Sequence, residues 1–315
     1  MRIVFLGTPE FGVPSLEALI REGHEVVGVF TQPDRPKGRG KKLECCPVKV
    51  CAMQHEIPVY QPLKIRLESV EDLKALKPDV CVTAAFGQIL SQEILDIPRI
   101  GTVNVHSSLL PEYRGSSPIN WAIICGEEKT GVTTMMTDKG MDTGDILLQR
   151  EVAILPGETA GELTIRLADI GAELLVETLR QLEAGTCPRK PQDHEKSSYY
   201  PMLKKEMGLI DWSMSAAEII CRIRGLSPWP GTYTYINDEM LKIWQGTEEA
   251  AAEGKSGDIL EADGKKGLLI KAGQNAVRVQ ELQAQGGKRM KAADYLRGHP
   301  INAKACDEIE VQNNE

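Results

Sequence analysis

The first 140 residues alternate between two hydrophobic periods, and that alternation constrains the fold more than any other feature of the chain. Short β-branched runs at 3–6, 26–31, 80–84, 102–106 and 132–136 predict strands. Between several of them, residues 15–21, 48–55 and 67–76 are compatible with helices. Strand–helix alternation of this kind predicts an α/β domain, a doubly wound, mostly parallel sheet with helices on both faces. Residues 133–137 and 146–152 flank a Gly-Met-Asp-Thr-Gly turn and predict a late antiparallel pair. Leu163, Leu167, Ile170, Leu174, Leu175 and Leu179 recur near helical spacing, so a long amphipathic helix over 160–184 closes this domain.

The pattern changes after residue 185. Residues 185–205 are rich in Pro, Gln, Asp, Lys and Ser, with little periodic hydrophobicity, and read as a connector. Ser215 and Gly225 bracket a predicted helix. Beyond Pro230 come five short strand-like runs, at 232–236, 240–245, 257–261, 267–271 and 276–282, which suggest a small β-barrel. A chain of 315 residues exceeds the usual single-domain size. The expected division is a first domain at 1–188, a linker at 189–205 and a C-terminal domain at 206–315.

Composition excludes several classes. No apolar stretch approaches the roughly 20 residues needed to span a bilayer. Met1-Arg-Ile-Val-Phe-Leu-Gly opens directly on a strand rather than a secretion signal. A cytoplasmic protein with no membrane partner is expected. The eight cysteines include no Cys-x-x-Cys pair and no histidine spacing suited to zinc, so a metal-free protein with free thiols is expected, with no role for Cys45-Cys46. The net charge of −8 argues against a generic polyanion binder and against DNA as a partner. Between Arg35 and Lys42, however, lie five basic residues and no acidic one. Read alone, this is either a solvated loop or a phosphate-contacting one.

Gly7-Thr-Pro-Glu-Phe-Gly12 follows the first strand where a dinucleotide fingerprint would lie. The fingerprint fails, because Pro9 stands where a second glycine must let the backbone approach a pyrophosphate. A nicotinamide-dependent oxidoreductase is therefore disfavoured. The chemistry-bearing segment is 104–118. Asn104 and His106 are two apart at the carboxyl end of a predicted strand, which places both on one face at the sheet edge where open α/β sheets bind ligands. The glycine-punctuated loop at 138–145 can bring the carboxylate of Asp142 to the pair. An amide, an imidazole and a carboxylate suit acyl transfer: donors for an oxyanion and groups to manage protons.

The segment from Asn104 to Pro118, together with the Asp142 loop, resembles the signature of the folate-dependent formyltransferases. The chain is similar, within them, to the enzymes that act on tRNA. Arg2-Ile-Val-Phe-Leu-Gly7-Thr-Pro9-Glu-Phe11, the basic stretch from Phe30 to Lys42, Asp211-Trp212-Ser213 and Ser227-Pro228-Trp229-Pro230 carry the resemblance end to end and in order. It implies a Rossmann-like catalytic domain and an OB-like, tRNA-binding C-terminal domain. It implies 10-formyltetrahydrofolate as formyl-donor co-substrate and initiator methionyl-tRNA as acceptor, for translation initiation. Asn104, His106 and Asp142 fall on the family's catalytic trio. Ser108, Leu109, Leu110 and Pro111 are expected to wall the folate site, with Phe86, Gly87 and Ile89 lining the pterin. Arg39, Lys41 and Lys42 are expected to meet tRNA.

Some matters stay open. Arg114 either binds a phosphate or pairs with a carboxylate. Trp212 and Trp229 are expected to pack in a core or between domains. A monomer is expected. Two alternatives remain: formylation of an amino-sugar nucleotide, which the basic insertion disfavours, and a non-enzymatic RNA-binding protein, which has no need of the trio.

Overall fold

The computed structural model describes residues 1–37 and 42–306. The chain packs as two compact units. Met1–Ile119, Lys129–Ala153 and Glu162–Pro201 form the first. Asn120–Glu128 and Ile154–Gly161 cluster instead with the chain from Met202 onward.

Seven strands build the sheet of the first unit: β1 (Arg2–Gly7), β2 (Glu25–Phe30), β3 (Val59–Tyr60), β4 (Val80–Ala84), β5 (Gly101–His106), β6 (Lys129–Met136) and β7 (Ile146–Ala153). Their spatial order is β7-β6-β5-β4-β1-β2-β3. The first five run parallel, and β6 lies antiparallel between β5 and β7. The alternation in sequence thus becomes the Rossmann-like mixed sheet that it predicts. Strand β4 is buried at every position, as a central strand covered on both faces must be. Edge strand β7 alternates from Leu148 onward because its outer face meets water.

Helix Ala160–Glu183 supplies one cover. Leu163, Leu167, Leu175 and Leu179 are fully buried, each contributing about 1.5–3 kcal/mol relative to exposure. Gly171 sets how closely this helix approaches the sheet: a Cβ there would lie 2.9 Å from Cγ1 of Val105. Val105 faces the helix, so its neighbours Asn104 and His106 face the opposite side. The helix predicted at 67–76 is two, Ile65–Glu68 and Val70–Leu76, broken at Ser69.

The second unit holds a separate antiparallel sheet, in keeping with the OB-like expectation. Its strands are β8 (Thr232–Ile236), β9 (Glu239–Glu249), β10 (Ile259–Asp263), β11 (Gly267–Lys271) and β12 (Ala276–Ala284), in the order β8-β9-β12-β11-β10, with the two-residue strand Met290–Lys291 also paired to β12. Register shifts along β9 on either side of Gln245 bend it against β12. Helix Ala216–Gly225 starts in a capping box, with Ser215 and Glu218 bonding each other's backbone N–H, and buries Ile219 and Ile223 in the core. Trp212 lies in the same core and donates from Nε1 to Thr234. Trp229 does not pack as expected. It is 52% exposed, in a turn that its two flanking prolines keep out of any strand or helix.

Candidate active site

Parallel pairing of β4 with β5 places Thr83 beside Asn104. The Thr83 hydroxyl donates to Oδ1 of Asn104 at 2.8 Å. With its oxygen so engaged, the amide presents its N–H donors on the other side, as an oxyanion site requires. Two residues further on, His106 is buried. Its Nε2 lies 3.0 Å from the carbonyl oxygen of Tyr113. A carbonyl only accepts, so Nε2 carries the proton and Nδ1 is the nitrogen left to face a ligand.

The turn after β5 folds back to deliver that carbonyl. Ser108 Oγ donates to the Glu112 carbonyl at 2.7 Å, and the Glu112 N–H donates to the Leu109 carbonyl. Thr133 of β6, level with His106, bonds both the Ser108 carbonyl and the Leu110 N–H. Gln149 of β7 donates to the Leu110 carbonyl at 2.9 Å.

The Asp142 loop completes the cluster. Oδ1 of Asp142 lies 3.7 Å from Nδ1 of His106, too far for a hydrogen bond and within reach of a single bridging water. Oδ2 accepts from the Gly115 N–H at 2.9 Å. Gly144 is obligatory here, since a Cβ would collide with the carbonyl oxygen of Met136. Tyr113 and Asp142, the two residues that face the imidazole, both have left-handed backbones, with φ of 57° and 55°. Strain of this sort costs about 1–3 kcal/mol each and persists only where surrounding bonds hold it.

Those bonds come from a segment whose composition reads as a connector. Gln192 donates to the carbonyls of Asp142 and Gly144 at 2.8 and 2.7 Å and accepts from Arg114. Ser198 bonds the backbone N–H groups of Tyr113 and Arg114. Strand Tyr199–Tyr200 pairs with Arg114–Gly115, the Tyr199 hydroxyl donates to the Met141 carbonyl, and Tyr200 stacks on Tyr113 at 4.9 Å. Arg114 is 3% exposed and bonds Gln192 and His194, with no carboxylate partner among the described residues.

The structure thus brings Asn104, His106 and Asp142 to one face. The expected folate-contacting residues divide. Phe86 is buried, whereas Gly87 and Ile89 are exposed. The side chains of Ser108 and Leu110 turn into the protein, and Leu109 lies over Gly131 of β6. Within that turn Leu109 and Pro111 stay partly exposed. Of the expected tRNA contacts, Arg39 and Lys41 lie outside the described residues, as does the side chain of Lys42. The flanks, Arg35–Lys37 and Lys42–Glu44, pair as a hairpin. Asp34 anchors its base: Lys49 bonds Asp34 and Gln61 at 2.6 Å each, and Gln61 donates to Asp34 at 2.9 Å. The Lys49 and then the Gln61 bond hold the Asp34 carboxyl below its usual range, and Asp34 raises the Lys49 amine.

Residues 1–179 match the formyl transferase domain and residues 202–300 the formyl transferase C-terminal domain. A methionyl-tRNA formyltransferase of Ruminiclostridium cellulolyticum is 50% identical over 309 residues, spanning 96% of this chain and 98% of the relative. The chain belongs to the methionyl-tRNA formyltransferase family. Another member, from Acetivibrio thermocellus, is 51% identical over 96% of this chain and 97% of its own. Among solved structures, an N-formyltransferase of Helicobacter canadensis in complex with folinic acid and dTDP-3-aminofucose shares the fold at TM-score 0.67. It is 22% identical and covers 88% of this chain and 98% of its own. HypX of Aquifex aeolicus in complex with tetrahydrofolic acid shares it at TM-score 0.62, with 19% identity, over 94% of this chain and 47% of its own. Among the described residues, no group of three or more His, Cys, Asp or Glu could hold a metal, and no helix is long and apolar enough to cross a membrane. All eight cysteines are free thiols, and burial pushes the Cys81 thiol up to about 12.

Proposed function

We propose that the chain transfers the formyl group of 10-formyltetrahydrofolate to the α-amine of methionine on initiator methionyl-tRNA, for translation initiation. The observation that carries the reading is the convergence of Asn104, His106 and Asp142 at the end of β5, in a chain 50% identical to methionyl-tRNA formyltransferases along nearly its whole length.

The α-amine has an ordinary pKa of about 7.7–8.0, so part of it arrives protonated. Asp142, held by the Gly115 N–H, accepts a proton from it, directly or through a water. The free amine attacks the formyl carbon, and a C–N bond forms as the carbonyl π electrons move to oxygen. The N–H donors of Asn104 meet that oxyanion. As the intermediate collapses, the bond to N10 breaks, and N10 must take one proton for the one the amine surrenders. His106 Nδ1, free of Tyr113 and facing Asp142, is placed to carry it. The donor is already activated, so no Ser or Cys nucleophile is required. Around the site, Phe86, Gly87, Ile89 and the 108–111 turn would receive folate, while Arg39, Lys41 and Lys42 would meet tRNA.

Purified protein should convert initiator methionyl-tRNA to its formyl form in the presence of 10-formyltetrahydrofolate, and His106→Ala should lose nearly all of that rate. Formylation of an amino-sugar nucleotide in place of methionyl-tRNA would overturn the substrate assignment and keep the chemistry. No reaction with either amine would overturn both.

A further inference from the structure

We propose that Gln192 is a positioning residue for the reaction: its side-chain amide locks the Asp142 loop against the Tyr113–Gly115 segment and so sets the carboxylate against the imidazole. The inference rests on the function proposed above and adds to it a residue from outside the signature segments.

The assignment of the amide follows from its partners. Nε and Nη2 of Arg114 only donate, so the atom 3.2 and 2.7 Å from them is the Gln192 oxygen. The carbonyls of Asp142 and Gly144 only accept, so the atom 2.8 and 2.7 Å from them is the amide nitrogen. Two lone pairs and two hydrogens are all used, in a side chain only 7% exposed. No other residue of similar size reproduces that set: Glu lacks the donors, Met lacks both, and Asn is a methylene short.

The lock matters because the two reacting loops share no strand or helix. One carries Tyr113, whose carbonyl fixes the His106 ring. The other carries Asp142, whose left-handed backbone resists its own conformation. Among the described residues, only the Gly115 bond to Oδ2 joins the Asp142 carboxylate directly to the first loop. Gln192 grips the second loop at the carbonyl of Asp142 itself and ties it, through Arg114, to the residue between Tyr113 and Gly115. Tyr199 adds an outer tether at Met141. The 3.7 Å separation of Nδ1 and Oδ1 is the distance this arrangement sets.

The test is a double-mutant cycle on formyl transfer, with kcat and both KM values measured for wild type, Gln192→Glu, Asp142→Ala and the double variant. Gln192→Glu keeps the acceptor for Arg114 and loses both donors to the loop. A displacement of about 1 Å can cost about 10²-fold, so kcat should fall by roughly 10- to 100-fold while both KM values stay within about threefold. On the Asp142→Ala background the same change should cost less than about twofold, because the group it positions is gone. Should Gln192→Glu fail to fold, Gln192→Asn serves instead: a methylene short of the loop carbonyls, it should lower kcat by at least about threefold, again only while Asp142 is present. Full-rate catalysis by a folded Gln192→Glu, or an equal loss with and without Asp142, overturns the inference while the functional reading stands. Absence of formyl-methionyl-tRNA from wild type overturns the functional reading, and this one falls with it.

Discussion

Replacing Asn104 by Asp should be worse than replacing it by Ala, and the structure supplies the reason. Loss of one oxyanion donor typically lowers kcat by about 10²–10³, or roughly 2.7–4 kcal/mol, and Asn104→Ala should fall in that range. In Asn104→Asp the Thr83 hydroxyl keeps its acceptor, because Oδ1 stays 2.8 Å away. The second carboxylate oxygen then takes the place of the donor nitrogen and aims a negative charge at the developing one. Two unit charges about 4 Å apart repel by roughly 4 kcal/mol at an effective dielectric of about 20. Asn104 is partly exposed, so solvent screens some of that, and a further loss of about 10²-fold is expected. Single-turnover formylation of initiator methionyl-tRNA, followed across pH, measures it. The Asp variant should recover towards low pH, since a protonated carboxyl donates again, while the Ala variant should not. An Asp variant as fast as the Ala variant at neutral pH would refute the orientation assigned to the amide.

Gly144→Ala should cut kcat by at least about 10²-fold, because its methyl collides with the Met136 carbonyl and must displace the Asp142 loop; the same formylation assay reads it. Gly171→Ala should destabilise by about 1–3 kcal/mol through overpacking against Val105, seen as a thermal midpoint several degrees lower. Lys49→Met should raise the KM for tRNA and leave the KM for folate unchanged, because it frees the base of the basic hairpin. The Asp34 carboxyl is held below its usual range, so its stabilisation is present above about pH 3.8 and is lost as pH falls through the lowered value. Wild type and Lys49→Met should therefore differ in unfolding midpoint at neutral pH and converge as pH falls through the lowered Asp34 value, as denaturation across pH would reveal.

Much of the fold and site is legible in the sequence because it follows from local periodicity. Except for the two-residue Val59–Tyr60, the β-branched runs mark the strands of the first unit's main sheet to within a few residues, since a central parallel strand is apolar at nearly every position. Period two alone is enough to put Asn104 and His106 on one face of their strand. Other features leave no local trace. Ser69 divides one apparent helix into two, and Trp229 is exposed although its composition suggests packing. Ser108 and Leu110 belong to the family's folate wall by resemblance, yet their side chains brace the turn from within.

By itself, then, the sequence determined the order of strands and helices, the strand end that carries the amide and imidazole, and the family to which the chain belongs. Tertiary structure decided how those groups are aimed. Thr83 orients the Asn104 amide only because parallel pairing brings residues 21 apart into register. The Tyr113 carbonyl selects the His106 nitrogen that faces a ligand only because a turn folds back on its own strand. Gln192 reaches Asp142 across 50 residues of chain, from a segment whose composition suggests nothing but a connector. Propensity and period act over a few residues. Hydrogen-bond geometry acts between whichever donors and acceptors the packed chain sets within about 3 Å, and sequence separation does not limit it.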